Sequence, residues 1–199
     1  MSDITILKAI YASRNQGADV TSTVSALVGN GNDDIAATTA NFGDPDPGAR
    51  KVLTILYTKS DLNNGHPIVL GCANNDTVDL VPPPGESSPY YSTPLQTALP
   101  GSQLAVATVA SAMYGSPKNG LDVTAICQAL FNQGATFTVP PEPVDHLVLQ
   151  PGTIQFGGDP DVGAEKWFAI EYTVTATGTT HCIGCEAFDG TNPLILPLT

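Results

Sequence analysis

Phe42-Gly43-Asp44-Pro45-Asp46-Pro47-Gly48-Ala49-Arg50-Lys51 leads into a strand-like run at 52–58. The same arrangement returns as Phe156-Gly157-Gly158-Asp159-Pro160-Asp161-Val162-Gly163-Ala164-Glu165-Lys166, followed by a second run at 167–173. In both places an acidic turn, constrained by proline and glycine, feeds a strand. A pattern of this length that occurs twice indicates that the chain is an internal duplication.

The duplication extends toward the N-terminus of each copy. Residues 11–21 align without gaps with residues 114–124, and Tyr, Ser, Gly, Asp, Val and Thr match at equal spacing. Asp19 or Thr21, and their counterparts Asp122 or Thr124, can accept hydrogen bonds from the first N–H groups of a helix. A short helix is predicted next, because one apolar face recurs at helical spacing. Its residues are Val20, Val24, Leu27 and Val28 in one copy, and Val123, Cys127, Leu130 and Phe131 in the other.

The remaining pattern predicts strands. They lie at 4–11, 35–40, 52–58, 66–72 and 77–81, with counterparts at 104–114, 136–139, 167–173, 181–185 and 194–196. Residues 140–151, which include four prolines, are predicted to form a surface loop. In the best strand of each copy one face stays apolar, so we expect it to be the core side. Those residues are Leu53, Ile55, Tyr57, Phe168, Ile170 and Tyr172.

The sequence therefore predicts a mainly β protein of two tandem duplicated β-sandwich-like units. Each unit has about five strands and one short helix, and a pseudo-two-fold axis relates the units. The first repeat spans 1–81, a Pro/Ser-rich linker spans 82–103 and the second repeat spans 104–199. Two half-sandwiches that share one core across the same axis are the alternative arrangement.

The composition excludes several classes of partner. The chain has seven Lys and Arg and nineteen Asp and Glu, which give a formal net charge of -12. Nucleic acid and anionic membranes are therefore not expected partners. The first residues lack a basic segment and a long apolar run, so we expect no signal peptide, no membrane insertion and a cytoplasmic or non-classically secreted protein. Four Cys do not make a disulfide scaffold at this length.

The turn residues resemble those of a known domain. The motifs follow one another in the order Asp-Val-Thr, a short helix, Gly-x-Asp-Pro, Gly-x-x-Lys, a strand, and a hairpin with His. This order resembles that in the C-terminal domain of the DnaJ-like proteins of subfamily C, member eleven, a domain with no assigned activity. The resemblance implies a module for interaction, and a co-chaperone role does not carry over because no J domain is present. The matching residues are Asp19-Val20-Thr21, Gly43-Asp44-Pro45, Gly48, Lys51, Tyr57 and His66, then Asp122-Val123-Thr124, Gly158-Asp159-Pro160, Gly163-Ala164-Glu165-Lys166, Tyr172, His181 and 194–197.

The acidic turns are candidate cation sites. Asp44 and Asp46, like Asp159 and Asp161, place two carboxylates two residues apart in a constrained loop. Hard cations such as Ca²⁺ take several oxygen ligands from loops of this kind. The alternative is that Asp-Pro begins a turn that glycine ends, since EF-hand spacing is missing.

Other residues suggest recognition or catalysis. Aromatic, amide and arginine side chains suit sugars and peptides alike, and the candidates are Arg14, Asn64, Tyr90, Tyr91 and Trp167. Trp167 could instead cover a sandwich edge or the interface between units. His66 or His181 with an Asp would permit acid–base chemistry. Cys182 and Cys185, with His181 and Cys72, could be read as part of a zinc site, but residues three apart on a strand point to opposite faces.

The function that these patterns favour is a non-enzymatic, lectin-like binding module. It recognises a glycan or a protein through loops, and Ca²⁺ bound at the Asp-Pro-Asp turns is a candidate cofactor for this binding. The two copies would provide two binding sites. The first alternative is a structural protein whose duplicated units self-associate into homo-oligomers. The second alternative is an enzyme that uses a His/Asp pair, although no nucleophile or phosphate-loop motif is present.

Overall fold

The structure is a computed structural model, and it describes residues 3–81, 106–134, 146–149, 156, 158–187 and 194–199. It confirms the prediction of a mainly β protein with short helices. The N-terminal part contains β1 Ile4–Ala12, β2 Gly17–Asp19, α1 Thr21–Gly29, β3 Asp34–Ala36, α2 Thr39–Phe42, β4 Val52–Lys59, a 3₁₀ turn Asn63–Gly65, β5 Ile68–Ala73 and β6 Thr77–Asp79. The C-terminal part contains β7 Ala107–Gly115, β8 Gly120–Asp122, α3 Thr124–Gly134, β9 His146–Leu149, β10 Trp167–Val174, β11 Thr180–Glu186 and β12 Leu194–Pro197.

The described strands form two four-stranded antiparallel sheets with the same order. One sheet runs β2-β1-β4-β5, and the other runs β8-β7-β10-β11. Two smaller sheets pair β3 with β6 and β9 with β12. The register also shifts at corresponding points, between Ile6 and Lys8 in β1 and between Val109 and Ser111 in β7. Each shift is a β-bulge, which bends the strand and locally increases its twist.

Each four-stranded sheet has its own core on one face. The predicted core side of β4 and β10 is confirmed, because its six apolar residues are buried in two separate clusters. The helices close these cores with Val24 and Val28 in α1, and with Cys127 and Phe131 in α3. Asp19 Oδ1 accepts the first helical N–H, from Thr21, at 2.9 Å, which confirms the predicted role of that aspartate at the helix start.

The opposite faces of the two four-stranded sheets pack against each other. A third cluster lies between them, made of Ile10, Ala12, Val52, Val69, Ala73, Met113, Trp167 and Ala169. Backbone hydrogen bonds cross this contact twice, from Gly71 N to Ser116 O at 2.8 Å and from Gly184 N to Ser13 O at 2.7 Å. The sequence pattern identified only one buried face of β4 and β10, whereas both faces are covered.

Several predicted elements differ in the structure. The predicted surface loop at 140–151 contains β9, because the backbone groups of β12 pair with residues 146–149. The strand predicted at 35–40 ends at Ala36, since Thr38 accepts a hydrogen bond from Asn41 N and begins α2. The strand predicted at 136–139 and the linker at 82–103, with Tyr90 and Tyr91, lie outside the described residues. In the described part of the chain, no helix is long and apolar enough to cross a membrane.

Candidate functional site

Each acidic turn is joined to the hairpin loop that precedes the helix of the same half. We call residues 13–16 with residues 44–48 the first loop pair, and residues 116–119 with residues 159–163 the second loop pair. Gly48 and Gly163, with φ of 83° and 87°, end the two acidic turns in the left-handed region that favours glycine. One carboxylate of each turn, Asp46 or Asp161, reaches the serine of the neighbouring hairpin.

A buried serine holds each loop pair together. Ser13 Oγ donates to Asp46 and accepts from the backbone N–H groups of Asn15 and Gln16 at 3.1 and 3.3 Å. Ser116 Oγ donates to Asp161 and accepts from Lys118 N and Asn119 N, both at 3.1 Å. One hydroxyl thus satisfies the hairpin backbone and binds the acidic turn at the same time.

A buried lysine neutralises the other aspartate of each turn. Lys51 Nζ lies 2.7 Å from Asp44 Oδ1, and Lys166 Nζ lies 2.6 Å from Asp159 Oδ1. The two lysines are only 3% and 8% exposed. A buried ammonium group requires a partner of opposite charge. Asp44 and Asp159 therefore serve to neutralise these lysines in the folded protein.

The four aspartates predicted to bind Ca²⁺ are therefore engaged with the protein itself. Hydrogen bonds from Ser13 and Asn15 lower the pKa of Asp46, so its carboxylate stays ionised within the loop pair. Among the residues that the structure describes, no group of three or more His, Cys, Asp or Glu side chains is placed to hold a metal ion. The geometry supports the alternative interpretation, in which Asp-Pro-Asp organises a turn.

The three predicted ligand-binding residues that the structure describes do not form one site. Arg14 is exposed in the first loop pair, whereas Asn64 is exposed in the 3₁₀ turn beyond the other end of β4. The eight residues of β4 separate them by roughly 23 Å. Trp167 is 4% exposed and lies in the cluster between the two sheets, so it is not available to a ligand from solvent. This burial matches its alternative prediction as an interface residue.

The first loop pair presents a row of polar side chains. Arg14, Asn15 and Gln16 are exposed on the hairpin loop, and Asp44 and Arg50 are exposed on the acidic turn. The sequence alignment already matched Ser13 with Ser116, but nothing in it identified these serines as the groups that fix the loops. That role depends on a contact between residues far apart in the chain.

A shallow pocket of about 190 Å³ lies beside the second loop pair. Tyr114, Glu165, Lys166 and Glu186 contribute to its lining. Its volume is below the range of about 300–1,000 Å³ that is typical of small-molecule sites. Glu186 also accepts a hydrogen bond from Arg50, which links this region to the first acidic turn.

A second ionic group joins the two sheets. Lys8 Nζ lies 2.7 Å from Asp19 Oδ2 and 2.8 Å from Glu171 Oε2, and Cys182 Sγ donates to Glu171 at 3.4 Å. Desolvation lowers the pKa of Lys8, but the hydrogen bonds with Asp19 and Glu171 outweigh it and raise the pKa above its ordinary value. The lysine therefore stays charged and links sheet to sheet.

Among the side chains that the structure describes, His66, His181 and the cysteines do not assemble into a reactive centre. His181 lies opposite Tyr172 in the sheet and stacks on its ring at 5.2 Å, whereas His66 is exposed and precedes β5, so the two histidines occupy different positions. Cys182 faces the other sheet and Cys185 faces its own core, as the strand periodicity predicted. Burial raises the pKa of Cys72, Cys182 and Cys185 to about 12, so these thiols are poor nucleophiles at neutral pH.

Comparisons with protein-family models, with curated protein sequences and with solved structures found no match to this chain.

Proposed function

We propose that the chain is an internal duplication whose halves associate about a pseudo-two-fold axis, like a fused homodimer. The reciprocal contacts support this proposal. Gly71 in the first half donates to Ser116 in the second, and Gly184 in the second half donates to Ser13 in the first. An isologous interface has this property, because residue i contacts residue j and j contacts i. A matching pair is found in Gly120 against Val69 and Gly17 against Cys182.

On this architecture we propose that the protein is a non-enzymatic binding module for a glycan or protein ligand. The observation that carries the proposal is the serine-anchored loop pair, which occurs twice with the same hydrogen bonds. Binding loops held on a rigid scaffold lose little conformational entropy when a ligand is bound. The resemblance to a domain without assigned activity points in the same direction, and so does the high pKa of the thiols.

The first loop pair is the better candidate for the ligand site. Its exposed side chains include the guanidinium of Arg14 and the carboxamides of Asn15 and Gln16, groups that bond sugar hydroxyls or peptide groups. Asn15 Nδ2 already donates to Asp46, and its carboxamide keeps an oxygen and a second N–H for a ligand. The second loop pair has Pro117, Lys118 and Asn119 at the corresponding positions, so its chemistry differs. Two sites of different specificity on one chain would favour ligands with two epitopes. Ca²⁺ has no part in this proposal, because the aspartates are already paired.

Binding to a glycan array and calorimetry with the ligands found there test the proposal. We expect the triple variant Arg14→Ala, Asn15→Ala, Gln16→Ala to lose binding while its melting temperature stays within a few degrees of wild type. Asn64→Ala, at the far end of β4, is the matched control and should bind as wild type does. Binding should persist in EDTA. If no array ligand binds, or if the triple variant binds unchanged, the first loop pair is not the site.

A further inference from the structure

The pocket beside the second loop pair lies where a side chain fills the corresponding position of the first half. Asn74 N donates to Lys51 O at 2.9 Å. In the second half Ala187 N donates to Lys166 O at 2.9 Å, so Ala187 holds the position of Asn74. The carboxamide of Asn74 accepts a hydrogen bond from the Tyr11 hydroxyl. Ala187 carries no carboxamide, and it lines the pocket of about 190 Å³ together with Lys166.

The ammonium group of Lys166 has fewer partners than that of Lys51. Lys51 Nζ donates to Ala49 O at 2.8 Å in addition to its ion pair. Lys166 Nζ lies 2.6 Å from Asp159, and among the described residues no hydrogen bond joins it to Ala164 O, the counterpart of Ala49 O. An ammonium group has three N–H donors, so Lys166 can donate to an oxygen in the pocket while its ion pair stays intact.

Two carboxylates line the same pocket. Glu186 accepts from Arg50 through Oε2, which leaves Oε1 for a second donor. Glu165 is exposed to solvent and contributes to the lining. The corresponding positions of the first half are Arg50 and Ala73, so neither carries a carboxylate there. An anionic ligand would meet two carboxylates and a lysine that is already neutralised, so a neutral group that both accepts and donates fits the pocket better.

We propose that this pocket binds the side-chain carboxamide of an asparagine or glutamine in a partner protein. Its carbonyl oxygen accepts from Lys166 Nζ, and its two N–H groups donate to the carboxylates of Glu186 and Glu165. A primary carboxamide has two N–H groups, whereas the acetamido group of an amino sugar has one, so the two acceptors favour the peptide side chain. The small volume suits one side chain of a larger ligand.

This proposal goes beyond the ligand site proposed above. It uses no residue of the first loop pair, so the two proposals succeed or fail separately.

The chain itself supplies the blocking residue for a test. Ala187→Asn places in the pocket the carboxamide that Asn74 provides in the first half, and Asn74→Ala is the matched control outside the pocket. Glu186→Gln removes one acceptor from the pocket, whereas Arg50→Gln removes only the ion pair of that glutamate.

The probes are the peptides Ac-Gly-Asn-Gly-NHMe and Ac-Gly-Gln-Gly-NHMe. The aspartate and leucine analogues are the charge and shape controls, and N-acetylglucosamine is the alternative source of an amide. Binding to the full chain is followed through the backbone amides of Ala164 and Lys166 by ¹⁵N–¹H NMR titration.

We expect the asparagine or glutamine peptide to shift both resonances saturably, and the aspartate and leucine peptides to bind at least about tenfold more weakly. Ala187→Asn should abolish the shifts with a melting temperature within a few degrees of wild type, and Asn74→Ala should bind as wild type does. Glu186→Gln should weaken binding about tenfold, whereas Arg50→Gln should leave it unchanged.

Three results would overturn the proposal. They are the absence of any shift with either carboxamide peptide, equal binding of the leucine and asparagine peptides, and unchanged binding by both Ala187→Asn and Glu186→Gln. Tighter binding of N-acetylglucosamine than of either peptide would also overturn it, in favour of a sugar acetamido group as the occupant.

Discussion

The sheet-to-sheet contact predicts a large effect from a single methyl group at Gly120. A Cβ on Gly120 would lie 2.5 Å from Val69 O, 2.7 Å from Val69 Cγ1 and 2.9 Å from Val69 Cβ. Carbon atoms in contact are normally about 3.5–4.0 Å apart, so Gly120→Ala forces β8 away from β5. Overpacking of this kind costs about 1–3 kcal/mol, and the carbonyl, as backbone, cannot rotate away.

Gly29→Ala is the matched control. Gly29 is the last residue of α1, and a Cβ there would have nothing within 4 Å. Removing a glycine at such a position leaves stability unchanged or raises it by about 0.4–1 kcal/mol. The assay is urea denaturation of both variants beside wild type, with thermal melts as a second readout. For a chain of this size, the expected loss at Gly120 lowers the melting temperature by roughly 2–12 °C.

The double variant with Val69→Ala sharpens the test. Truncation of Val69 removes the clash with Cγ1 but leaves the clash with the carbonyl oxygen, so the two changes should couple by about 0.5–3 kcal/mol. The reasoning is refuted if Gly120→Ala is as stable as Gly29→Ala, or if the effects of Gly120→Ala and Val69→Ala add without coupling. Either result would mean that β8 and β5 are not in contact.

Three further predictions concern single side chains. Phe168→Ala should lower the free energy of unfolding by about 3–5 kcal/mol, because this ring is fully buried. In the same denaturation assay, Ile195→Ala should change the free energy of unfolding by less than about 0.5 kcal/mol, because Ile195 is 57% exposed. The carboxylate of Asp46 should have a pKa below its ordinary range, so it contributes stability that is present above its unfolded pKa and lost as the pH falls through the folded pKa. Carbon-detected NMR titration of Ser13→Ala should find the pKa of Asp46 raised relative to wild type. An unchanged pKa would contradict the hydrogen bond between Ser13 and Asp46. Of the four thiols, Cys182 should react first with a maleimide at pH 8, because the other three are buried, and mass spectrometry of a partly labelled sample that found another cysteine modified first would contradict this placement.

The local parts of the fold could be predicted from the sequence. Alternation along β4 identified Leu53, Ile55 and Tyr57 as core, and the spacing of Val24 and Val28 identified a short helix. These predictions succeeded because each depends on residues close together in the chain, where strand and helix periods differ clearly. The acidic turns were also recognisable as turns, from Asp-Pro at their start and glycine at their end.

The contact between sheets could not be predicted in the same way. On the second face of β4 and β10 the polar residues Thr54 and Glu171 interrupt the apolar ones. The pattern of this face therefore resembles that of a solvent-facing surface. Glu171 is nevertheless largely buried, because Lys8 from the other sheet pairs with it. Strand β9 was missed for a related reason. It forms by pairing with β12, which lies far along the chain, and the sequence around it is rich in proline.

The candidate site was only partly foreseen. Arg14 was predicted to suit recognition and is exposed in the structure, whereas Asn64 and Trp167 are placed elsewhere by the course of β4 and by the packing of the sheets. The aspartates were singled out as candidate cation ligands because they recur in both acidic turns. Their partners Ser13 and Lys51 could not be inferred, because composition and spacing do not reveal which cation or hydroxyl a carboxylate meets after folding.

Nuclear Overhauser contacts between the two halves test the central claim most directly. In the intact chain, we predict cross-peaks between the α-protons of Gly120 and the methyl groups of Val69, and between the corresponding residues Gly17 and Cys182. Both sets must be present if the sheets pack face to face with reciprocal contacts. A spectrum in which Gly120 and Gly17 contact only residues of their own half would contradict the architecture on which the loop pairs and the proposed function depend.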